Sequence, residues 1–439
     1  MVAVVMTSHV TRAAGAMLVA IGASACLPPI VEPAPSRGEV REVELAVRIA
    51  ADAPPAAAND APDVQGLLPT GMPDSVVLFD VGLVGLQDGV SGDVLVDVSG
   101  LGAMTILVYG HPGTSVILER VVDPEGAVVV DDVPPADLAP EYLAFARGFP
   151  AQVFSQNRVL ASSESGSFLV PNTPAVRPLD GTWTLRVSAW RVDLTTTPPT
   201  RTPVDRPLHV AILARGVDTG RGRLDLNLHF AGAQLAAVDA ERDAFVAGAL
   251  DVVREAYGAV GIAIGEVRYQ DAPRGFDLVE LTPGSCDPGD LLELASSLRG
   301  STGPPGADVF FIDGFVCFLT AGVDIGGGIA GLSAGLPGPP WVRGSPHSGV
   351  AVSTSFTDDD AAKVGVVMAH EIAHFLGLYH TREQTFFNAP PIFDVIDDTQ
   401  DGEEADDNLM FFAASDELSL SAGQGAVLRS SPLVVAVEP

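Results

Sequence analysis

Three histidines and one glutamate in the C-terminal quarter of the chain have the spacing of a metal centre. They lie in the run HEIAHFLGLYH at positions 370–380, which contains His370, Glu371, His374 and His380. On an α-helix, residues four apart lie about 40° apart around the axis and about 6 Å apart along it. The imidazoles of His370 and His374 can therefore bind the same ion.

The other residues of this run complete the predicted chemistry. Glu371 lies about 100° from His370 around the helix, so its carboxylate can reach water at the ion without becoming a ligand. Gly377 suits a left-handed helix end, which would turn the chain and return His380 as the third ligand. Three imidazoles leave one position of a tetrahedral zinc ion open, as is typical of catalytic sites.

The opposite face of the predicted helix is apolar, which indicates how the helix is held. Asp358 is expected to cap its N-terminus, and the helix is expected to run to about Leu376. One face can then pack on a core while the histidines face a cleft. The apolar residues recur every four positions: Val364, Met368, Ile372 and Leu376.

The run resembles the zinc-binding motif of the metzincin peptidases, and within them the pappalysin-like bacterial branch. The resemblance covers residues 223–435, about half of the chain. In the family, a methionine in a tight turn lies beneath the zinc, a role that falls here to Met410 as a polarizable floor. Phe412 stands where some members have a zinc-binding tyrosine, so the resemblance leaves oxyanion stabilisation to zinc and backbone N–H groups.

Two further stretches carry this resemblance. The segment GIAGLS at 328–333 resembles the family's edge strand, which implies that Ile329, Ala330, Gly331 and Leu332 pair with an extended substrate. The segment LSAGQ at 420–424 resembles the start of the family's C-terminal helix. The order of strands and helices after residue 222 independently predicts α/β layers, and the family implies a mixed, twisted sheet with an active-site helix.

Short β-branched runs separated by turn residues precede this region. They predict an antiparallel β-sandwich over residues 73–216, and TWTLRV at 182–187 resembles a closing strand of the jelly-roll modules of secreted bacterial proteases. The predicted organisation is a signal segment at 1–26, a Pro- and Ala-rich tether at 27–72, the sandwich, and a metzincin-like domain at 222–439. A strand within 39–49 is also compatible with the tether sequence.

The N-terminus indicates export. A short apolar stretch ends in Ala-Ser-Ala before Cys26, which resembles a bacterial lipoprotein signal in which Cys26 is acylated. A plain secretory signal is the alternative. Cys286 and Cys317 then remain as an even pair in an oxidising compartment, either as a disulfide or as two separate buried thiols.

Charge limits the possible partners. The 439-residue chain has 56 acidic and 24 basic residues and a formal net charge of −32. Such a surface repels nucleic-acid phosphates and anionic lipid headgroups, so membrane contact is expected only through a lipid anchor. The oligomeric state does not follow from the sequence.

A run of carboxylates between His380 and Met410 is a second candidate metal site. Clustered carboxylates suit calcium, although the spacing is not that of an EF-hand and a solvated acidic loop explains the run equally well. The residues are Asp394, Asp397, Asp398, Asp401, Glu403, Glu404, Asp406 and Asp407.

These observations predict a zinc-dependent endopeptidase of the bacterial cell envelope. It would cleave extracellular proteins or peptides with metal-activated water and Glu371 as general base. The alternatives are a zinc hydrolase of another bond type and a surface-binding lipoprotein with a vestigial metallopeptidase domain.

Overall fold

The computed structural model describes most of the chain between residues 43 and 437. The described residues are 43–51, 53–131, 157, 164–193, 200–216, 218, 220–232, 235–240, 243–282, 289–301, 303–304, 306–319, 323–324, 328–357, 360–383, 392–399, 407–412 and 418–437. No helix within these ranges is long and apolar enough to span a bilayer.

The regular secondary structure of the described residues before position 217 consists of strands, apart from a 3-10 turn at Ala58–Asp60. In chain order the strands are β1 (Glu44–Ile49), β2 (Val76–Val84), β3 (Leu86–Gln87), β4 (Val90–Ser91), β5 (Val94–Ser99), β6 (Leu101–Tyr109), β7 (Ser115–Val122), β8 (Val128–Asp131), β9 (Ser165–Val170), β10 (Gly181–Asp193), β11 (Thr200–Pro203) and β12 (Leu208–Gly216).

These strands form two antiparallel sheets with a shared core. One sheet has the order β1-β5-β10-β4-β3, with β7 and β11 also paired to β10 and β8 paired to β7. The other has the order β2-β12-β6-β9. The core between them contains residues of both sheets, including the fully buried Trp183 of β10 and Ile106 of β6. The two-layer packing agrees with the predicted sandwich. Strand β10, which contains the segment at 182–187, is a central strand of its sheet and not a closing one.

The folded part begins earlier than the predicted tether boundary at residue 72. Strand β1 pairs antiparallel with β5 from Glu44 opposite Ser99 to Ile49 opposite Val94. Leu67 is also buried, in a second apolar cluster on the outer face of the sheet that contains β2. The alternation of apolar and polar residues in β1 therefore outweighs the Pro- and Ala-rich composition of its surroundings.

The second half contains the remaining strands and the helices. The helices are α1 (Ala237–Ala240), α2 (Ala244–Ala259), α3 (Gly289–Ser296), α4 (Ala361–Leu376) and α5 (Ala422–Ser430), with a 3-10 turn at Ser355–Thr357. The strands are β13 (Gly222–Phe230), β14 (Ile262–Asp271), β15 (Leu278–Glu280), β16 (Ala307–Ile312), β17 (Gly314–Val316), β18 (Phe318–Leu319), β19 (Val323–Asp324), β20 (Gly331–Ser333), β21 (Val350–Ser353), β22 (Arg382–Glu383), β23 (Ile392–Phe393) and β24 (Val435–Ala436).

A mixed sheet of order β14-β13-β16-β21-β20 organises this half. Strands β14, β13, β16 and β21 are parallel, while β20 pairs antiparallel with β21 and β24 antiparallel with the start of β13. Helices α2 and α4 cover one face. Residues of α3, β15 and β17 contribute to the apolar cluster on the other face. The remaining small strands pair as β15 with β17, β18 with β19 and β22 with β23.

Candidate metal centre

Helix α4 is held by its cap and by close packing on α2. Asp360 is the N-cap, and its carboxylate accepts hydrogen bonds from the backbone N–H groups of Ala362 and Lys363 at 2.9 and 3.4 Å. Asp360, and not the predicted Asp358, therefore caps the helix. A Cβ on Gly365 would lie 2.6 Å from Val252 Cβ of α2, so glycine permits this close helix contact.

The predicted apolar stripe of α4 faces the core. Val364, Met368, Ile372 and Leu376 are completely buried in the same cluster as the inward residues of the mixed sheet. This packing fixes the rotation of the helix, and with it the direction of the histidines.

The helix ends in a left-handed turn, as the sequence predicted. Gly377 has φ of +118°, and its N–H donates to the carbonyls of Ala373 and His374 at 3.1 and 3.0 Å. The N–H of Leu378 also donates to the carbonyl of Ala373 at 3.0 Å. The chain then reverses and brings His380 back to the helix.

Three imidazole nitrogens converge on one point. His380 Nε2 lies 3.1 Å from His370 Nε2 and 3.1 Å from His374 Nε2. Nitrogens bound to one tetrahedral zinc at about 2.05 Å would lie about 3.3 Å apart. Among the described residues, these three histidines are the one cluster whose donor atoms lie close enough together to hold a metal ion.

Backbone carbonyls set the tautomers of two rings. His370 Nδ1 lies 2.6 Å from the carbonyl oxygen of Leu409, and His374 Nδ1 lies 2.7 Å from that of Leu378. Since a carbonyl only accepts, both Nδ1 atoms carry the proton and both Nε2 lone pairs point at the convergence point. Ligating histidines in metalloproteins are oriented in this way. The residues therefore fit a zinc ion.

Glu371 lies beside this cluster without a good partner. It is completely buried, and neither carboxylate oxygen has a hydrogen-bond partner of good geometry within the described residues. Burial raises the pKa of Glu371 well above its ordinary value, and the backbone of Ser333 lowers it in part. A cation on the neighbouring imidazoles would oppose the effect of burial, because an opposite charge favours the carboxylate.

Strand β20 contacts Glu371 directly. A Cβ on Gly331 would lie 2.7 Å from Glu371 Cγ and 2.9 Å from its Oε1, so only glycine fits here without displacing the carboxylate. The strand is the edge of the mixed sheet and runs antiparallel to β21. It begins three residues later than the predicted segment at 328–333, and the side chains of Ile329, Ala330 and Leu332 are buried.

Met410 lies in a turn that supports two of the histidines. Its side chain is completely buried in the core that contains α4. The carbonyl of the preceding Leu409 is the one that accepts from His370. The carbonyl of Met410 accepts from the N–H of Thr381, next to His380, at 2.9 Å. This turn therefore holds the ring of His370 and the backbone next to His380.

A partly buried amide pair, which the sequence analysis missed, holds this turn against α5. Asn408 and Gln424 exchange two side-chain hydrogen bonds of 2.9 and 3.1 Å, and Asn408 Oδ1 also accepts from the N–H of Met410 at 2.8 Å. Gln424 belongs to a capping box with Ser421. The Ser-x-x-Gln spacing that signals such a box was present in the sequence.

Among the described residues, none of the other predicted site residues belongs to the histidine cluster. Cys317 is buried in the core on the α3 face, while Cys26 and Cys286 lie outside the described residues, so lipid attachment and the disulfide stay predictions. Of the acidic run, Asp398 accepts from Ser421 Oγ and the N–H of Gly423 at the start of α5. Calcium binding also stays a prediction, since half of the run is not described: Asp401, Glu403, Glu404 and Asp406.

No family model matches the chain, and no curated protein is similar to it. The solved structure of metalloproteinase-II from Bacteroides fragilis is similar over 49% of this chain and 60% of its own, with 15% identity and a TM-score of 0.29. A Bacillus subtilis protein is similar over 50% and 45%, with 11% identity and a TM-score of 0.13. This chain thus matches less than two thirds of either protein, and both TM-scores are too low to indicate a shared fold.

Proposed function

We propose that the chain is a zinc-dependent endopeptidase of the metzincin type. The observation that carries the proposal is the convergence of three imidazole Nε2 atoms beside a buried, unpaired carboxylate on the same helix. The turn at Met410 and the edge strand at Gly331 support the metzincin type, because both lie against the cluster as the sequence resemblance implies.

Zinc is the metal that best suits this donor set. His370, His374 and His380 would hold it, and no further protein ligand of the cluster is found among the described residues. Three neutral imidazoles with an open fourth position are typical of catalytic zinc. A bound zinc supplies Lewis acidity, which polarises a carbonyl and makes water more acidic.

Glu371 is suited to move protons at this site. Its carboxylate lies on the same helix turn as His370, yet it is not a member of the ligand cluster. As general base it accepts a proton from the attacking water, and it then returns a proton to the nitrogen of the leaving amine. The side chain is completely buried, so competition from bulk solvent for the carboxylate is reduced.

An extended peptide is the substrate that the surroundings favour. Strand β20 is a sheet edge, and an edge strand can pair its backbone with an added strand. Because Gly331 touches Glu371, a peptide paired with β20 would have its backbone near the base. Protein or peptide is therefore the proposed substrate class, and nucleic acid is disfavoured by the charge of −32.

The proposed location is the bacterial cell envelope. Acylated Cys26 would anchor the chain, and the residues between Cys26 and β1 would separate the folded part from the membrane. A disulfide between Cys286 and Cys317 would be compatible with this oxidising compartment. A secreted form, released by a plain signal peptide, would have the same chemistry.

A peptide-library digest of the zinc-loaded protein, with and without a chelator, tests the proposal. We expect cleavage that stops when zinc is removed and returns when zinc is restored, with about one zinc per chain by elemental analysis. Zinc binding without cleavage of any peptide would favour the surface-binding alternative. A protein that binds no zinc would contradict the proposal.

A further inference from the structure

The β-sandwich contributes residues to the apolar core of the metal-binding half. In β9, alternate residues point in opposite directions: Phe168 lies in the core between the two sheets of the sandwich, while Leu169 lies in the core that contains α4. Ala103 of β6 joins Leu169 there. Part of the outer face of the sheet that contains β9 is therefore covered by the metal-binding half.

On one side, β9 contacts the end of the metal-binding helix. A Cβ on Gly377 would lie 2.9 Å from Leu169 Cδ2, so the turn lies directly on this side chain. Ser167 Oγ donates to the carbonyl of Gly338 at 3.2 Å, and the N–H of Gly338 donates to the carbonyl of Phe375 at 2.9 Å. Phe375 is the neighbour of His374, so β9 supports the helix end both directly and through one loop.

On the other side, the loop after β9 reaches the chain beyond His380. Thr173 Oγ1 donates to the carbonyl of Val395 at 2.7 Å. The N–H of the adjacent Asp394 donates to the carbonyl of Thr381 at 3.2 Å. A short series of hydrogen bonds therefore connects Thr173 to the residue that follows the third histidine.

The contacting segment is itself fixed within the sandwich. Asn157 Nδ2 donates to the carbonyl of Leu169 at 3.5 Å, and Asn157 Oδ1 accepts from the N–H of Asn172 at 2.6 Å. Asn157 is completely buried. Residues 167–173 thus form a rigid support, and its two contacts lie on either side of the turn between His374 and His380.

We propose that Leu169 and Thr173 are positioning residues of the metal centre, so that the sandwich is a structural part of the site. This inference rests on the proposed function only in taking the three imidazoles as zinc ligands. Ligands must be held within about 0.5 Å of their binding geometry, and His380 lies outside the helix on a turn that needs external support. Leu169 supports that turn by packing, and Thr173 supports it by its hydroxyl group.

Zinc affinity of the full chain, measured by competition with a chromophoric chelator, tests the inference without any substrate. Leu169→Ala is compared with Leu118→Ala, which removes an equally buried leucine from the sandwich core away from the interface. Thr173→Val is compared with Thr105→Val, since Thr105 is also buried but its hydroxyl has no hydrogen-bond partner in the described structure. Thr173→Ser restores the hydroxyl group.

We expect Leu169→Ala and Thr173→Val to weaken zinc binding by about 10-fold, within the range for groups that orient metal ligands. Leu118→Ala, Thr105→Val and Thr173→Ser should keep the parent affinity, although Leu118→Ala lowers the melting temperature as much as Leu169→Ala does. Equal zinc affinities in Leu169→Ala and Leu118→Ala, or an unchanged affinity in Thr173→Val, would overturn the inference while leaving the proposed function intact. A parent protein that binds no zinc would overturn both.

Discussion

At the scale of residues, a few atoms determine what this site can do. The tautomers of His370 and His374 follow from two carbonyls, and the position of Glu371 follows from a glycine on β20. The motif predicted the identity of the histidines and the glutamate. It did not predict the Leu409 and Leu378 carbonyls or the contact with Gly331, because these groups are backbone atoms whose role depends on the folded path of the chain.

Replacing His374 by alanine should remove most of the zinc. Two imidazoles remain. Loss of a ligand should weaken zinc binding by more than roughly 100-fold, which is the upper range for loss of a group that only orients a ligand. His209→Ala is the matched control, since His209 pairs with Asp80 on the sandwich and lies outside the cluster. Full zinc occupancy in the His374 variant, by elemental analysis after dialysis, would refute the ligand assignment.

Replacing Gly331 by alanine should reduce turnover while zinc stays bound. The new methyl group would lie 2.6 Å from Val367 Cγ1 and 2.7 Å from Glu371 Cγ, so the carboxylate must move. Since a displacement of about 1 Å can cost 10²-fold in rate, we expect about that loss in kcat. Gly258→Ala, on a helix position with open space, should leave kcat unchanged. Equal rates in both variants would show that the contact with β20 does not position Glu371.

At the scale of elements, the sequence predicted the type and approximate bounds of the units that carry the site. Helix α4 was predicted with its observed end at Leu376. The predicted start of α4 was wrong because Asp358 and Asp360 are equally good capping residues by type. Only the backbone path shows which carboxylate accepts from the first free N–H groups. The capping box at Ser421 was overlooked although its spacing was visible.

Replacing Asp360 by alanine should lower the free energy of unfolding by about 1 kcal/mol, because two N–H groups of α4 lose their acceptor. Asp358→Ala, which leaves the Asp360 cap in place, should change it by less. Chemical denaturation of both zinc-free variants measures the difference. A larger loss of unfolding free energy in the Asp358 variant than in the Asp360 variant would indicate that Asp358 caps the helix.

At the scale of the whole molecule, the sequence predicted two regions but not how they join. Strand β12 has the run AILA at 211–214. The residues that point to one face of the sheet and those that point to the other are all buried. Such a continuous apolar run indicates a strand covered on both faces, whereas a sandwich strand with a free outer face would alternate. The pairing of the outer face with the metal-binding half requires contacts between residues far apart in sequence, such as Arg215 with the carbonyl of Ser431 at 2.9 Å. Local patterns do not encode such contacts.

Replacing Cys26 by serine should release the protein from the membrane fraction and leave peptide cleavage unchanged. The motivation is the Ala-Ser-Ala sequence before Cys26 at the end of a short apolar stretch. The several acyl chains of a lipoprotein anchor firmly, and serine cannot carry them. Fractionation of expressing cells measures the release. If the variant stayed with the membranes as before, a lipid anchor at Cys26 would be excluded, and the zinc centre would be unaffected by that result.

The assignment of zinc chemistry to this chain depends most directly on Glu371. Glu371→Gln keeps the shape of the side chain but cannot accept a proton, so the variant should bind about one zinc per chain and lose 10²–10⁴-fold or more in kcat (roughly the general-base range). Zinc content and cleavage of the best peptide should be measured side by side for the parent protein and the variant. Retained zinc with lost turnover is the predicted result. A variant that cleaves the peptide at close to the parent rate would contradict the account.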